Sequence, residues 1–169
     1  MWTTRTSRLN ALRGLVAFVI AALCIPTRAD VVTEWNVIAG ELITAAGLGT
    51  PPANRVMAIA HTAAYEAANA ITKRFAPDRD GVEAPPGASV DAAIAAAHRT
   101  VLLQLVPSQS SAIDRAYRAA LAAIGADGAK GAGVSVGEKA AAAVLARRAN
   151  DGAATPERYR PLTTAGVYV

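Results

Sequence analysis

From Glu34 to Ala46 the apolar side chains Trp35, Ile38, Ala39, Leu42, Ile43 and Ala46 recur at three- and four-residue intervals. This spacing predicts a first helix, stopped by Gly47-Leu48-Gly49. Thr50 as N-cap and Pro51 at the first helical position open a second helix that runs to about Thr72. Lys73 to Gly87, with Pro77, Pro85 and Pro86, reads as a loop. Ser89 caps a third helix that carries Asp91 in its first turn and ends at Pro107. A fourth helix follows from about Ser110, with Ile113, Ala116, Tyr117, Ala120, Leu121 and Ile124 inward and Gly125 closing it. The fifth is expected from Ser135, which forms a capping box with Glu138, to Ala149, and Asn150-Asp151-Gly152 ends it. No period-2 run long enough for a strand occurs. The expected fold class is therefore all-α, a helical bundle of about five helices.

The second of these helices is unusual in its polar positions. At roughly 100° per residue, His61, Tyr65 and Asn69 lie one above another, with Arg55, Thr62 and Glu66 beside them. Val56, Ala60, Ala63, Ala64, Ala67 and Ile71 occupy the opposite arc, and most are small enough to let a neighbouring helix approach closely. One face packs and the other bonds, either within a buried polar network or against another surface.

The sequence Arg55, Ala58-x-x-His61, Tyr65, Glu66, Ala67-x-Asn69-Ala70-Ile71 resembles the amino-terminal helical half of bacterial vanadium-dependent haloperoxidases, relatives of the type 2 phosphatidic acid phosphatases. Trp35-Asn36, the alanine-rich run ending His98-Arg99-Thr-Val-Leu-Leu-Gln-Leu-Val-Pro107, and Ala146 to Gly152 follow the same template in order. Tyr159, Pro161 and Gly166 look like that family's linker into its catalytic half, so the resemblance spans about Val32 to Val169. It implies vanadate as cofactor of a full-length member, used with peroxide to oxidise a halide, or else hydrolysis of a phosphate ester through a histidine nucleophile. The family's oxyanion-binding segments, K-x6-R-P, P-S-G-H and S-R-x5-H-x3-D, are absent. Arg160-Pro161 has Ala153 where the lysine would stand, and Ser108 after Pro107 lacks the following Gly-His. No residue of this chain is therefore expected to be catalytic, cofactor-binding or metal-ligating. The expected function is that of a helical portion of an exported haloperoxidase-like or acid-phosphatase-like protein. A non-catalytic helical interaction module of the envelope is the alternative.

The first 29 residues change the organisation. Arg5, Arg8 and Arg13 precede the apolar run Gly14 to Leu23, and Thr27-Arg28-Ala29 places small side chains at −3 and −1 of a cleavage site before Asp30. This reads as a secretory signal peptide, its apolar run short for a membrane span of about 20 residues. The domains expected are residues 1–29 as signal peptide, 30–152 as an alanine-rich helical domain, and 153–169 as a linker toward a catalytic half absent from this chain. Export to the periplasm or the extracellular space follows, without a stable membrane span after cleavage. Four of the 17 basic residues and none of the 13 acids lie in the leader, leaving 13 of each. A neutral mature chain gives no basic stripe for nucleic acid. Cys24 leaves with the leader, which excludes disulfides and thiolate metal sites. The partner expected is the catalytic half or another domain, and a homo-oligomer is the other arrangement admitted.

Single polar residues have two readings each. His61 with Glu66 has the makings of a general base in an unrelated small enzyme, but a histidine among alanines is more often hydrogen-bonded structure. His98-Arg99 reads as a pair serving the C-terminal dipole of its helix. Glu66 is expected to bond Arg55 or Lys73. The glycine-rich stretch from Gly125 to Gly133 lacks the Gly-Lys-Ser/Thr ending and preceding strand of a phosphate loop, and reads as a linker between helices.

Overall fold

A computed structural model describes residues 30–76, 81–125, 128–156, 158, 160 and 164–166. The chain divides into two units, Met1–Asp30 and Val31–Val169, and every described helix lies in the second. The expected signal peptide lies outside the described residues, as does much of the expected linker. The helices are α1 (Val31–Ala45), α2 (Thr50–Thr72), α3 (Val90–Leu105), α4 (Ser110–Ala123) and α5 (Gly128–Arg147), with a single 3-10 turn over Pro107–Gln109. The unit is all-α, as the spacing predicts, and the described residues contain no strand. Among the described residues no helix is long and apolar enough to cross a membrane.

Local chemistry sets the helix ends. Gly47 takes the left-handed conformation (φ 69°) after α1, and the Leu48 amide reaches back to the Ile43 carbonyl. Thr50 is already helical, contrary to its expected role as cap. Gly49 precedes the helix with no side-chain cap, and its carbonyl takes the Ala53 amide at 2.9 Å. With prolines at 51 and 52, two of the amides that a cap would serve do not exist. Ser89 caps α3 as expected, its Oγ accepting from the Ala92 amide at 3.2 Å.

α3 is the central helix and touches the other four. Its residues Ala92 to His98 are buried without a break, because helices cover it on more than one side. Two apolar clusters result. One joins α2, α3 and α5 through Ile59, Ala63, Ala97, Val101, Ala141 and Val144. The other joins α1, α3 and α4, with Val56 of α2, through Trp35, Leu42, Leu102, Val106 and Ile113.

The fifth helix departs from the sequence expectation. It starts at Gly128, not near Ser135, so much of the glycine-rich stretch is helix and Ser135 is exposed within it. Glycine in a helix interior costs about 1 kcal/mol relative to alanine. Close packing offsets that cost, since a Cβ at Gly133 would overlap the Ser89 carbonyl and one at Gly137 the Ala93 carbonyl. α3 and α5 meet backbone to backbone there, a contact invisible to single-chain propensity. α4 differs in degree: only Ile113 is fully buried, and Ala116, Tyr117, Ala120, Leu121 and Ile124 are half-buried.

Candidate functional site

The polar stripe of α2 is held by partners from distant parts of the chain. Arg55 forks onto Asp151, Nε to Oδ2 at 2.9 Å and Nη2 to Oδ1 at 3.1 Å, and Nη2 also donates to the Arg148 carbonyl at 3.0 Å. This pairing, together with the Ala153 amide, holds the Asp151 carboxyl below the usual carboxylate range. Glu66 lies 3.8 Å from Arg147 of α5, and meets neither Arg55 nor Lys73 as expected. The correction has a geometric cause: α5 runs alongside α2 and brings Arg147 and Arg148 to the stripe.

Asn69 is buried, and both ends of its amide bond the chain just beyond the helix. Nδ2 donates to the Phe75 carbonyl at 3.1 Å, and Oδ1 accepts from the Phe75 amide at 3.0 Å. Lys73 turns the chain with a positive φ of 51°, which lets Phe75 fold back onto Asn69 and brings its ring 6.1 Å from that of Tyr65. Both rings are exposed. A cleft of about 570 Å³ opens beside them, lined by Glu66, Lys73, Phe75, Val82 and Glu83.

His61 is half-buried and its Nε2 lies 3.0 Å from Asn36 Oδ1 on α1. Behind it sits His98, fully buried, with ring centroids 5.4 Å apart and planes at 85°. His98 Nδ1 is 3.0 Å from the Ile94 carbonyl, and since a carbonyl only accepts, Nδ1 carries the proton. Nε2 is then a bare acceptor, buried and without a partner. Trp35 of α1, also fully buried, stacks on the same ring at 5.3 Å and 20°, and its indole N–H has no partner either. Burial pushes the His98 pKa down to about 4. The bond to Ile94 opposes that fall, and the neighbouring His61 adds to it.

The expected dipole role of His98-Arg99 is corrected by this arrangement. His98 belongs to the core, and Arg99 reaches α4, with Nε 2.8 Å from Asp114 Oδ1 and its guanidinium 4.9 Å from the centre of the Tyr117 ring. Burial raises the Tyr117 pKa, with Arg99 opposing it. The Trp35–His98 stack was legible only as two separate residues, although a histidine closing a run of buried-looking alanines was the available signal.

Four stretches singled out in the sequence thus meet in space. Trp35-Asn36 lies on His98 and His61, and Arg55 and Glu66 join Arg147, Arg148 and Asp151. No known protein family, curated protein or solved structure matches the chain. Among the described residues no group of three or more His, Cys, Asp or Glu side chains is placed to hold a metal ion. Arg55, Arg99 and Arg147 each face a carboxylate.

Proposed function

We propose that this chain is the helical, non-catalytic portion of an exported vanadium-dependent haloperoxidase-like or related acid-phosphatase-like protein. The oxyanion chemistry would belong to a different stretch of polypeptide. The observation that supports the reading is the convergence of the four stretches. The residues that carry the resemblance bond one another across α1, α2, α3 and the end of α5, as a framework for the fold. Asn69 bonds through both atoms of its amide, Arg55 through Nε and Nη2, and Glu66 faces Arg147, so they act as structural groups rather than as acids or bases. In this role the bundle positions a catalytic half without touching the reacting atoms.

The test is biochemical. The 169-residue protein, dialysed against micromolar vanadate and assayed with peroxide and bromide or with an aromatic phosphate ester, is expected to show neither saturable binding nor turnover. Added polypeptide carrying K-x6-R-P, P-S-G-H and S-R-x5-H-x3-D should bind it and restore activity. Turnover by the chain alone overturns the proposal. Failure of any such polypeptide to bind it favours the envelope interaction module.

A further inference from the structure

The buried cluster of Trp35, His61 and His98 serves the framework above, but its protonation chemistry gives it a second property. α1 is fastened to the bundle mainly through Trp35, Ala39, Leu42 and Ile43, and Trp35 is the largest of these. The face of α3 that receives it is the His98 ring. That ring is neutral only while Nε2 remains bare. A proton added at Nε2 creates both a positive charge and a new N–H donor in a fully buried position where no acceptor is in place.

Among the described residues no carboxylate is placed to compensate that charge. On α1, Glu34 and Glu41 are exposed; on α2, Glu66 faces Arg147; on α4, Asp114 is taken by Arg99; on α5, Glu138 and Lys139 are exposed. The ionisable group that acts on His98 is His61, which carries the same sign when protonated. The geometry points to a proton-operated latch: acid protonates His98, and α1 releases from α3. The damage should be local. The cluster joining α2, α3 and α5 is built from alanine, valine, isoleucine and leucine around the Gly133 and Gly137 contacts, with no titratable group among its buried members.

The magnitude follows from the two proton affinities. With His98 at about 4 when buried and 6.5 when released, the opening equilibrium of α1 rises about a hundredfold between pH 7 and pH 4. Release uncovers the apolar groups under α1, including Leu102, Val106 and Ile113.

The test uses the full chain with Trp2→Phe, which leaves Trp35 as the single tryptophan. Between pH 7 and pH 4, Trp35 emission should shift to the red, and α1 amides should exchange about a hundredfold faster after correction for the intrinsic rate. Amides of Val136 to Val144 should stay better protected than those of α1 at both ends of this range. His98→Phe retains a stackable ring that cannot titrate and should abolish the response. Because that variant risks misfolding, imidazole nitrogen shifts of the parent protein provide an independent reading, and His98 should hold its proton on Nδ1 and titrate together with the Trp35 change. The latch is refuted if Trp35 stays buried at pH 4, if α1 amides are then as well protected as those of α5, or if folded His98→Phe keeps the same pH profile.

Discussion

Arg55 and Asp151, 96 positions apart, form a two-pronged ion pair that fastens the start of α2 to the chain leaving α5. The same guanidinium also takes the Arg148 carbonyl, one of the acceptors that a helix leaves free at its C-terminal end. A single arginine thereby closes the helix end and orients the segment after it.

Asp151→Asn should loosen that segment without unfolding the bundle. Asp151 has its carboxyl pKa depressed in the folded state, so its contribution is present above the unfolded carboxylate value and is lost as pH falls through the folded one. Faster exchange of the Ala153 amide, whose acceptor is Asp151 Oδ1, is the expected signature. Unchanged exchange there would mean that the fork is not holding the turn.

Glycines of α5 should respond in opposite directions. Gly137→Ala drives a methyl group into the Ala93 carbonyl and should destabilise by about 1 to 3 kcal/mol. Gly131→Ala meets nothing within 4 Å and should stabilise by about 0.5 to 1 kcal/mol through helix propensity. Urea midpoints of the two variants compare them directly, and equal shifts of the same sign would contradict the close helix contact.

Asn69→Ala removes both bonds to Phe75 and leaves that residue's amide and carbonyl to find other partners. The expected loss is about 1 to 3 kcal/mol. Asn69→Asp keeps an acceptor for the Phe75 amide but loses the donor, and should fall between the two in thermal unfolding.

Stability of the whole unit should also fall in mild acid. A buried neutral histidine binds its proton less readily than the unfolded chain does. The unfolded state therefore holds more protons between pH 6.5 and about 4, and stability declines as pH drops through that window. The total is about 3 kcal/mol, from roughly 1.4 kcal/mol per pH unit of displacement. The difference in unfolding free energy between the parent and His98→Phe, followed over this range, isolates it from the carboxylates that titrate lower. A constant difference would show that His98 does not carry the effect.

The five helices were legible in the sequence because their signals are local. Apolar side chains three and four apart, Ser89 ahead of α3 and the Gly47 stop after α1 act within one or two turns of where they stand. The small-residue face of α2 was legible for the same reason, and Ala60, Ala63, Ala64 and Ala67 are all buried. The partners of the polar stripe were not, because they depend on which helices lie side by side. Glu66 meets Arg147 and His61 meets Asn36 only once α5 and α1 have docked. Glycine in α5 misled for a related reason: its intrinsic cost is a property of the residue, whereas the offsetting contact with Ala93 belongs to the packed pair. His98 is the clearest case. Its position in an alanine run was fixed by sequence, but its burial, its bare Nε2 and its lowered proton affinity come from Trp35 and His61 closing over it, which only tertiary packing brings about.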